Sequence, residues 1–515
     1  MSLVLGLDSS TQSLSAVILD TEAGTVVANH TVNFGNDLPQ YGQPHGYDES
    51  GARGEVHANP LMWVEALDLL LGRMKDAGVD FSGIEAVSGS GQQHGSVYLK
   101  AGFEDRLAAL SGESDLKTGL AGAFSRSSSP IWMDSSTSTE CAEIAEAVGG
   151  NAEVCAKSGS VAVERFTGPQ IRKFFKEDPD GYAATETIHL VSSFFASILA
   201  GRSVGIDRGD GAGMNLMNLA SGEWDAALVE ATAAGLSERL PSCVPSNTVT
   251  GTIANYFVNK YGFSPTCKTV VWSGDNPCSL IGMGAAEPGK VVISLGTSDT
   301  LFAAMPEPKT DPNGYGHVFG NPAGGFMSLI CFKNGSLARE AVKEEFDLSW
   351  DDFEISALSR TPIGNGGLLM LPFYEPEITP ALDTGGPVFS DDRDRHGDQA
   401  VRAVLEGQFL NMRLHSGWLG VEPERIYVTG GASENDGIAK TIANVFGVPV
   451  ERLDVPGSAT IGAAMRATHA NGADLRNLEQ KFSQPKEGRT IEPDAGARAE
   501  YDRLLEDFAG FLGRQ

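Results

Sequence analysis

The chain has 515 residues and carries 38 Lys and Arg against 67 Asp and Glu, a formal net charge of −29. At roughly 150 residues per domain this length predicts two to three domains, and so acidic a surface repels polyphosphate backbones and anionic membranes, which argues against nucleic-acid binding and polybasic lipid attachment as main functions. A 41% hydrophobic content supplies large cores, and 62 glycines predict many tight turns and backbone-lined sites rather than disorder.

The start of the chain has no basic residues before its short apolar run Leu3 to Leu7, and no stretch approaches the ~18 apolar residues that span a bilayer. The expectation is an untargeted cytoplasmic protein. Cys141, Cys155, Cys243, Cys267, Cys278 and Cys331 form no C-x-x-C pair, so neither a zinc site nor a disulfide framework is expected.

In chain order, Leu3 to Leu7 and Ser15 to Leu19 read as strands joined by the polar turn Asp8 to Ser13, and a third strand follows over Thr25 to Val32. Residues 37–59 are rich in Gly, Pro and His and read as a surface loop. Asn59 then caps a helix started by Pro60, which buries Trp63, Leu67, Leu70 and Met74. Further on, Lys290 to Ile293, the turn Ser294-Leu295-Gly296-Thr297-Ser298 and Thr300 to Ala304 repeat the opening plan of strand, hydroxyl-rich turn and strand. The Glu287-Pro288-Gly289 turn marks a border between two halves. A long helix capped by Asp398 carries the stripe Val401, Val404, Leu405, Phe409 and Met412. The strand Ile426 to Thr429 runs into Gly430-Gly431-Ala432-Ser433-Glu434-Asn435 and a helix, and an amphipathic helix with Tyr501, Leu504, Leu505 and Phe508 closes the chain. Mixed strands and helices throughout make this an α/β protein.

Gly284 to Lys290 has the spacing of a P-loop, but Val291 stands where Ser or Thr binds magnesium and a strand follows, so that reading fails. Gly89 to His94 begins like a dinucleotide fingerprint, yet it ends in His and leads into the strand-like Ser96 to Leu99. What remains are two Ser, Thr and Gly hairpin turns, one per half, whose N–H and hydroxyl groups can wrap phosphate oxygens. Asp8 is either a turn-forming carboxylate or the organiser of a hydrated magnesium ion on ATP. The double glycine Gly430-Gly431 permits close approach to a flat ligand, with Ser433 or Asn435 capping the helix or touching a ribose.

Taken in order, Asp8-Ser9-Ser10-Thr11-Gln12, Ser88 to Gly95, Trp132-Met133-Asp134-Ser135-Ser136, Glu164 to Gly168, Ser273-Gly274-Asp275-Asn276-Pro277, Ser294 to Ser298 and Gly430 to Ser433 resemble the FGGY carbohydrate kinases, most of all those acting on D-xylulose. The likeness runs from Leu3 to about His469. It implies two actin-like, ribonuclease-H-like domains, with ATP and sugar meeting in the cleft between them. The expected boundaries are 1–284, 285–478 and a tail, 479–515.

The resemblance further implies ATP and Mg2+ as the cofactor set, with Asp8, Thr11, Gln12, Gly296, Thr297, Gly430, Gly431 and Asn435 at ATP and Asp8 at the metal through water. His94, Arg165, Asp275 and Asn276 are expected at the sugar, together with Gln93, Trp132 and Asp134, and Lys333 as a further positive charge for ATP. Asp275 is the expected general base, taking the proton of the sugar hydroxyl as that oxygen attacks the γ-phosphate in line. The expected product is D-xylulose 5-phosphate, the partners are the sugar and ATP alone, and the assembly is a monomer or homodimer. Three other readings stay open at this point: a kinase of another ketose or polyol such as D-ribulose or L-xylulose, a sugar-independent actin-like ATPase, and a kinase-derived protein that has lost its chemistry.

Overall fold

The computed structural model describes residues 2–392, 396–453, 455–486 and 488–514, and the chain divides into two α/β units. The first holds the chain up to Gly284 together with Val318–Phe326 and Val455–Ser483; the second holds Ala285–His317 and the chain from Met327 onward apart from Val455–Ser483.

In the first unit, alternating apolar residues build β1 (Leu3–Ser9), β2 (Ser13–Asp20) and β3 (Thr25–Asn33), an antiparallel meander. Helix α1 (Pro60–Asp76) begins where Asn59 Oδ1 accepts the Leu61 N–H, and it buries Trp63, Leu67, Leu70 and Met74 as its periodicity requires. Strand β4 (Ile84–Gly91) lies parallel to β1, and helix α2 (Val191–Ala200) packs against it. Strands β5 (Val249–Thr252), β6 (Lys268–Val270) and β7 (Ser273–Gly274) complete a seven-stranded sheet of order β5-β6-β4-β1-β2-β3, with β7 also pairing with β4. Helix α3 (Asp275–Gly282) follows β7 directly.

The helix Ser458–Ala470 joins this first unit because glycines let backbones touch. A Cβ on Gly462 would sit 1.9 Å from the Cys278 carbonyl oxygen, and one on Gly6 2.2 Å from that of Thr460, so no larger residue fits either crossing.

The second unit repeats the plan. Strands β8 (Lys290–Leu295) and β9 (Asp299–Met305) form an antiparallel hairpin, and β11 (Arg425–Thr429) lies parallel to β8 just as β4 lies parallel to β1. With β10 (Phe326–Phe332) and β12 (Val450–Arg452) the order is β10-β9-β8-β11-β12. Helix α4 (Gly397–Ser416) buries the expected stripe, but its cap is His396; Asp398 lies in the first turn, where it accepts the Ser356 hydroxyl at 2.5 Å. Helix α5 (Asp436–Phe446) follows β11, and the final helix α6 (Ala497–Leu512) packs on α4 and α5, its Tyr501 hydroxyl donating to Glu406 Oε1 at 2.6 Å. All six cysteines are free, five of them buried. Among the described residues no helix is long and apolar enough to cross a membrane.

Candidate active site

Parallel pairing aligns the carboxyl ends of three strands in the first unit. Asp8 of β1 lies opposite Ser90 of β4, and Ser273 and Gly274 of β7 lie opposite Ser90 and Gly91. Asp8 therefore sits in a strand rather than in the turn expected for it, because pairing with β4 extends β1 through Ser9. Its Oδ1 accepts the Ser90 hydroxyl at 2.7 Å. Burial pushes the Asp8 carboxyl up to about 6, against that hydrogen bond, which favours ionisation.

Asp275 opens α3 where β7 ends, which brings it to the same strand ends as Asp8. Its Oδ1 accepts the Asn276 backbone N–H at 2.8 Å and the Asn276 amide at 3.1 Å. Burial first, and the neighbouring charge of Asp8 second, push its carboxyl up to about 7. Asn276 Nδ2 also donates to Gln93 Oε1 at 2.8 Å, so Gln93, Asn276 and Asp275 form one hydrogen-bonded group.

His94 has a left-handed backbone (φ 71°), and its Nδ1 lies 2.7 Å from the Gly213 carbonyl oxygen. A carbonyl can only accept, so the proton is on Nδ1 and Nε2 is left as an acceptor. Burial, then the charge of Arg165, lower the imidazole to about 3, so His94 is neutral at working pH. The ring stacks on Phe166 with centroids 4.1 Å apart, and the Arg165 guanidinium lies over the same Phe166 at 5.6 Å. A Cβ at Gly213 would come within 2.9 Å of the His94 ring, which explains glycine there.

Trp132 is 44% exposed, and its indole N–H donates to Thr11 Oγ1 at 2.8 Å; the Thr11 hydroxyl hydrogen is then left for another acceptor. Gln12 is exposed. Asp134 departs from its expected sugar-contacting place. It is buried and accepts from the Val56 and Ser136 N–H groups, the Ser136 hydroxyl and the Gln170 amide, and His57 lies 3.3 Å away. Burial raises its carboxyl, but the bonds from His57, Ser136 and Gln170 outweigh that and hold it well below the ordinary range, so Asp134 is a structural knot.

In the second unit the hairpin turn Gly296-Thr297-Ser298 leaves Thr297 and Ser298 exposed. Asp299 braces it: Oδ1 accepts the Gly296 N–H at 3.1 Å, and Arg339 grips the carboxylate with two bonds of 2.8 and 2.9 Å, both side chains fully buried. A Cβ at Gly335 would lie 2.8 Å from the Gly296 carbonyl oxygen, so the segment after Lys333 packs directly on this turn. Lys333 itself is half-buried.

The neighbouring strand supplies Gly430, whose backbone (φ 91°, ψ 169°) only glycine adopts readily and whose Cβ would lie 2.3 Å from the Leu295 carbonyl oxygen. Gly430 is thus held against the end of β8, beside the Gly296 turn. Gly431 has open space around it. Ser433 donates to the Gly430 carbonyl at 2.7 Å, and Asn435 Oδ1 caps α5 through the Ile438 N–H at 3.0 Å, leaving the Asn435 amide hydrogens for a ligand.

Of the expected residues, Asp8, Thr11, Gln12, Gln93, His94, Trp132, Arg165, Asp275 and Asn276 belong to the first unit, and Gly296, Thr297, Lys333, Gly430, Gly431 and Asn435 to the second, so the set expected at ATP draws on both. The bracing residues Asp299, Arg339 and Gly213 escaped the sequence reading. The glycine-rich acidic run Asp207 to Gly213 was the available signal for the last of them.

The sequence profile of the FGGY family of carbohydrate kinases matches with its N-terminal domain over residues 128–282 and its C-terminal domain over residues 291–471. The chain belongs to this family and is a sugar kinase, an enzyme that uses ATP. It is 44% identical to the xylulose kinase of Mus musculus over 522 residues, which covers 99% of this chain and 94% of the mouse protein. Xylulose kinase 2 of Arabidopsis thaliana is 44% identical over 491 residues, 91% of this chain and 87% of the plant protein. Among solved structures, a xylulose kinase from Rhodospirillum rubrum superposes with a TM-score of 0.83 at 20% identity, covering 99% of this chain and 98% of that one, a likeness of fold.

Proposed function

We propose that this sugar kinase phosphorylates D-xylulose to D-xylulose 5-phosphate, with Asp275 as general base. The observation that carries the mechanism is the state of Asp275, a carboxylate at a strand end whose burial and proximity to Asp8 push it up to about 7, the range in which a base both accepts a proton and is substantially ionised. The acceptor sugar is read from the xylulose kinases that match the whole chain at 44% identity.

The first unit presents the sugar with groups of defined polarity. Neutral His94 offers Nε2 and Asn276 its Oδ1 as acceptors, because both Asn276 amide hydrogens are held by Gln93 and Asp275; Arg165 offers donors, and Asp275 accepts the proton of the attacking hydroxyl. Gln93 orients Asn276 through its 2.8 Å bond, and Trp132 acts through Thr11. The donor nucleotide is assigned to the backbone N–H groups and hydroxyls of the Gly296-Thr297 turn, to Thr11 and Gln12, and to Gly430, Gly431 and Asn435 for the nucleoside. Phosphoryl transfer asks for positioning and charge neutralisation more than covalent chemistry, and the second hairpin, braced by Asp299 and Arg339, supplies fixed donors for it.

Asp8 fits a magnesium ion. No cluster of three or more His, Cys, Asp and Glu that could hold a metal occurs among the described residues, and magnesium bound to ATP keeps most of its water and takes one or two carboxylates. The strongly desolvated Asp8 beside Asp275 is suited to that hydrated cation, which neutralises phosphate charge when bound.

The test is sugar-dependent ADP release across a panel of pentuloses, hexuloses and polyols. The highest kcat/KM is expected with D-xylulose. A higher value for another sugar overturns the substrate assignment, and sugar-independent ATP hydrolysis overturns the kinase mechanism.

A further inference from the structure

One carboxylate near the base has no place in the mechanism above. Asp210 lies in the short turn Arg208–Gly211, fully buried, with its backbone N–H bonded to Asp207 Oδ1 at 2.7 Å. Ser192 at the start of α2 anchors it, the hydroxyl donating to Asp210 Oδ2 at 2.5 Å. Its other oxygen, Oδ1, is buried and makes no hydrogen bond.

Gln93 has the complementary deficit. Its Oε1 accepts from Asn276, while its Nε2 is buried and unbonded. Both orphans lie around one glycine: a Cβ on Gly274 would be 2.5 Å from Gln93 Cγ and 2.9 Å from Asp210 Oδ1. Gly274 directly precedes Asp275. The amide orientation of Gln93 follows from chemistry, because the Asn276 donor demands Oε1 on its side and so turns the Nε2 donors away from it.

We propose that Asp210, anchored by Ser192, is a positioning residue for phosphoryl transfer: its Oδ1 takes the Gln93 amide N–H, which fixes Gln93 Oε1 on Asn276 and thereby holds the Asp275 carboxylate in its reactive orientation. The inference rests on Asp275 being the base. Burial raises Asp210 well above the ordinary carboxylate range, with Ser192 and Gln93 opposing that and the charges of Asp207 and Asp275 adding to it. Asp207 is balanced differently, by Ser273, Ser246 and, at 3.9 Å, Arg466. The titratable groups whose charges couple to Asp275 are thus Asp8 from β1 and Asp210 from the 208–211 turn.

The relay makes a distinctive prediction. Asn at position 210 keeps an oxygen that accepts from Gln93, and its amide is met by the Ser192 hydroxyl turning from donor to acceptor, whereas Ala makes neither bond. Asp210→Ala should lower kcat about 10- to 100-fold with the sugar KM changed less than threefold, Ser192→Ala should lower it less, and Asp210→Asn should restore most of the turnover. Asp210→Asn and Asp210→Ala both lack the acid and differ in the bond to Gln93, so the Asp275 carboxyl titration should lie at higher pH in Asp210→Ala, where the Asn276 bond is loosened, than in Asp210→Asn. It can be followed by carboxyl NMR and assigned by its absence in Asp275→Asn, without any turnover.

A rise in sugar KM with kcat unchanged would make Asp210 a direct sugar contact and overturn the proposal, as would equal losses in the Asn and Ala variants. If Asp210→Ala does not fold, Ser192→Ala carries the same test, and unchanged kcat and Asp275 titration there overturn the proposal. Failure of the kinase reading looks different: the wild type would release no ADP in response to any sugar, while the Asp275 titration would still report on the relay.

Discussion

Asp8 and Asp275 reach the same strand ends through β1, β4 and β7, and each carboxyl is pushed up, to about 6 and about 7. A base works only when deprotonated, so kcat/KM for the sugar should fall as pH drops through about 7. Because the Asp8 charge is one cause of the Asp275 elevation, Asp8→Asn should move that acidic limb to lower pH, by about one unit. A pH profile of the residual activity checks this, and an unmoved limb would separate the two carboxylates. The candidates Asp8, His94, Asp275 and Asn276 were legible in the sequence because their motifs are local. The partners that fix them were not: Ser90 is 82 positions from Asp8, Gly213 119 from His94, and Gln93 183 from Asn276. The bonds of Asp134 were hidden for the same reason, since its donors include Val56 and Gln170, 78 and 36 positions away.

The two hairpins were legible as elements, because alternation over Leu3 to Leu19 and Lys290 to Ala304 leaves little choice of face. Their exact ends were set by pairing, which draws Asp8 and Ser9 into β1 and Leu295 into β8. The brace under the second hairpin, Asp299 with Arg339, links β9 to a helix 40 residues on and left no periodic trace. The Gly430 loop depends on backbone geometry instead. Alanine at 430 would meet the Leu295 carbonyl and adopt a conformation costing about 1–3 kcal/mol. Gly430→Ala should therefore weaken ATP binding about tenfold while leaving the sugar KM near its original value. Calorimetry with ATP and steady-state kinetics over sugar separate the two, and equal effects on both ligands would remove this loop from the nucleotide site.

At the scale of the whole molecule, the internal echo of the two hairpins was readable, and the structure repeats it in both units, adding to each a parallel strand pairing that the sequence did not announce. The membership of Val455–Ser483 in the first unit was not readable, because it depends on glycines at 282 and 462 meeting backbone across a helix crossing. The net charge of −29 also acts at this scale, opposing the approach of an anionic nucleotide. Raising ionic strength from about 10 to 150 mM should increase kcat/KM for ATP about threefold by screening that field, with little change for the neutral sugar. A fall in kcat/KM for ATP over the same range would mean that local positive charge dominates the encounter.

The central claim is that Asp275 performs proton transfer and does not hold the nucleotide. Asp275→Ala, assayed for sugar-dependent ADP release and titrated with ATP by calorimetry, tests it most directly. Turnover should fall about 10²- to 10⁴-fold with ATP affinity within threefold of wild type. Turnover retained within tenfold, or lost in step with ATP binding, would contradict it.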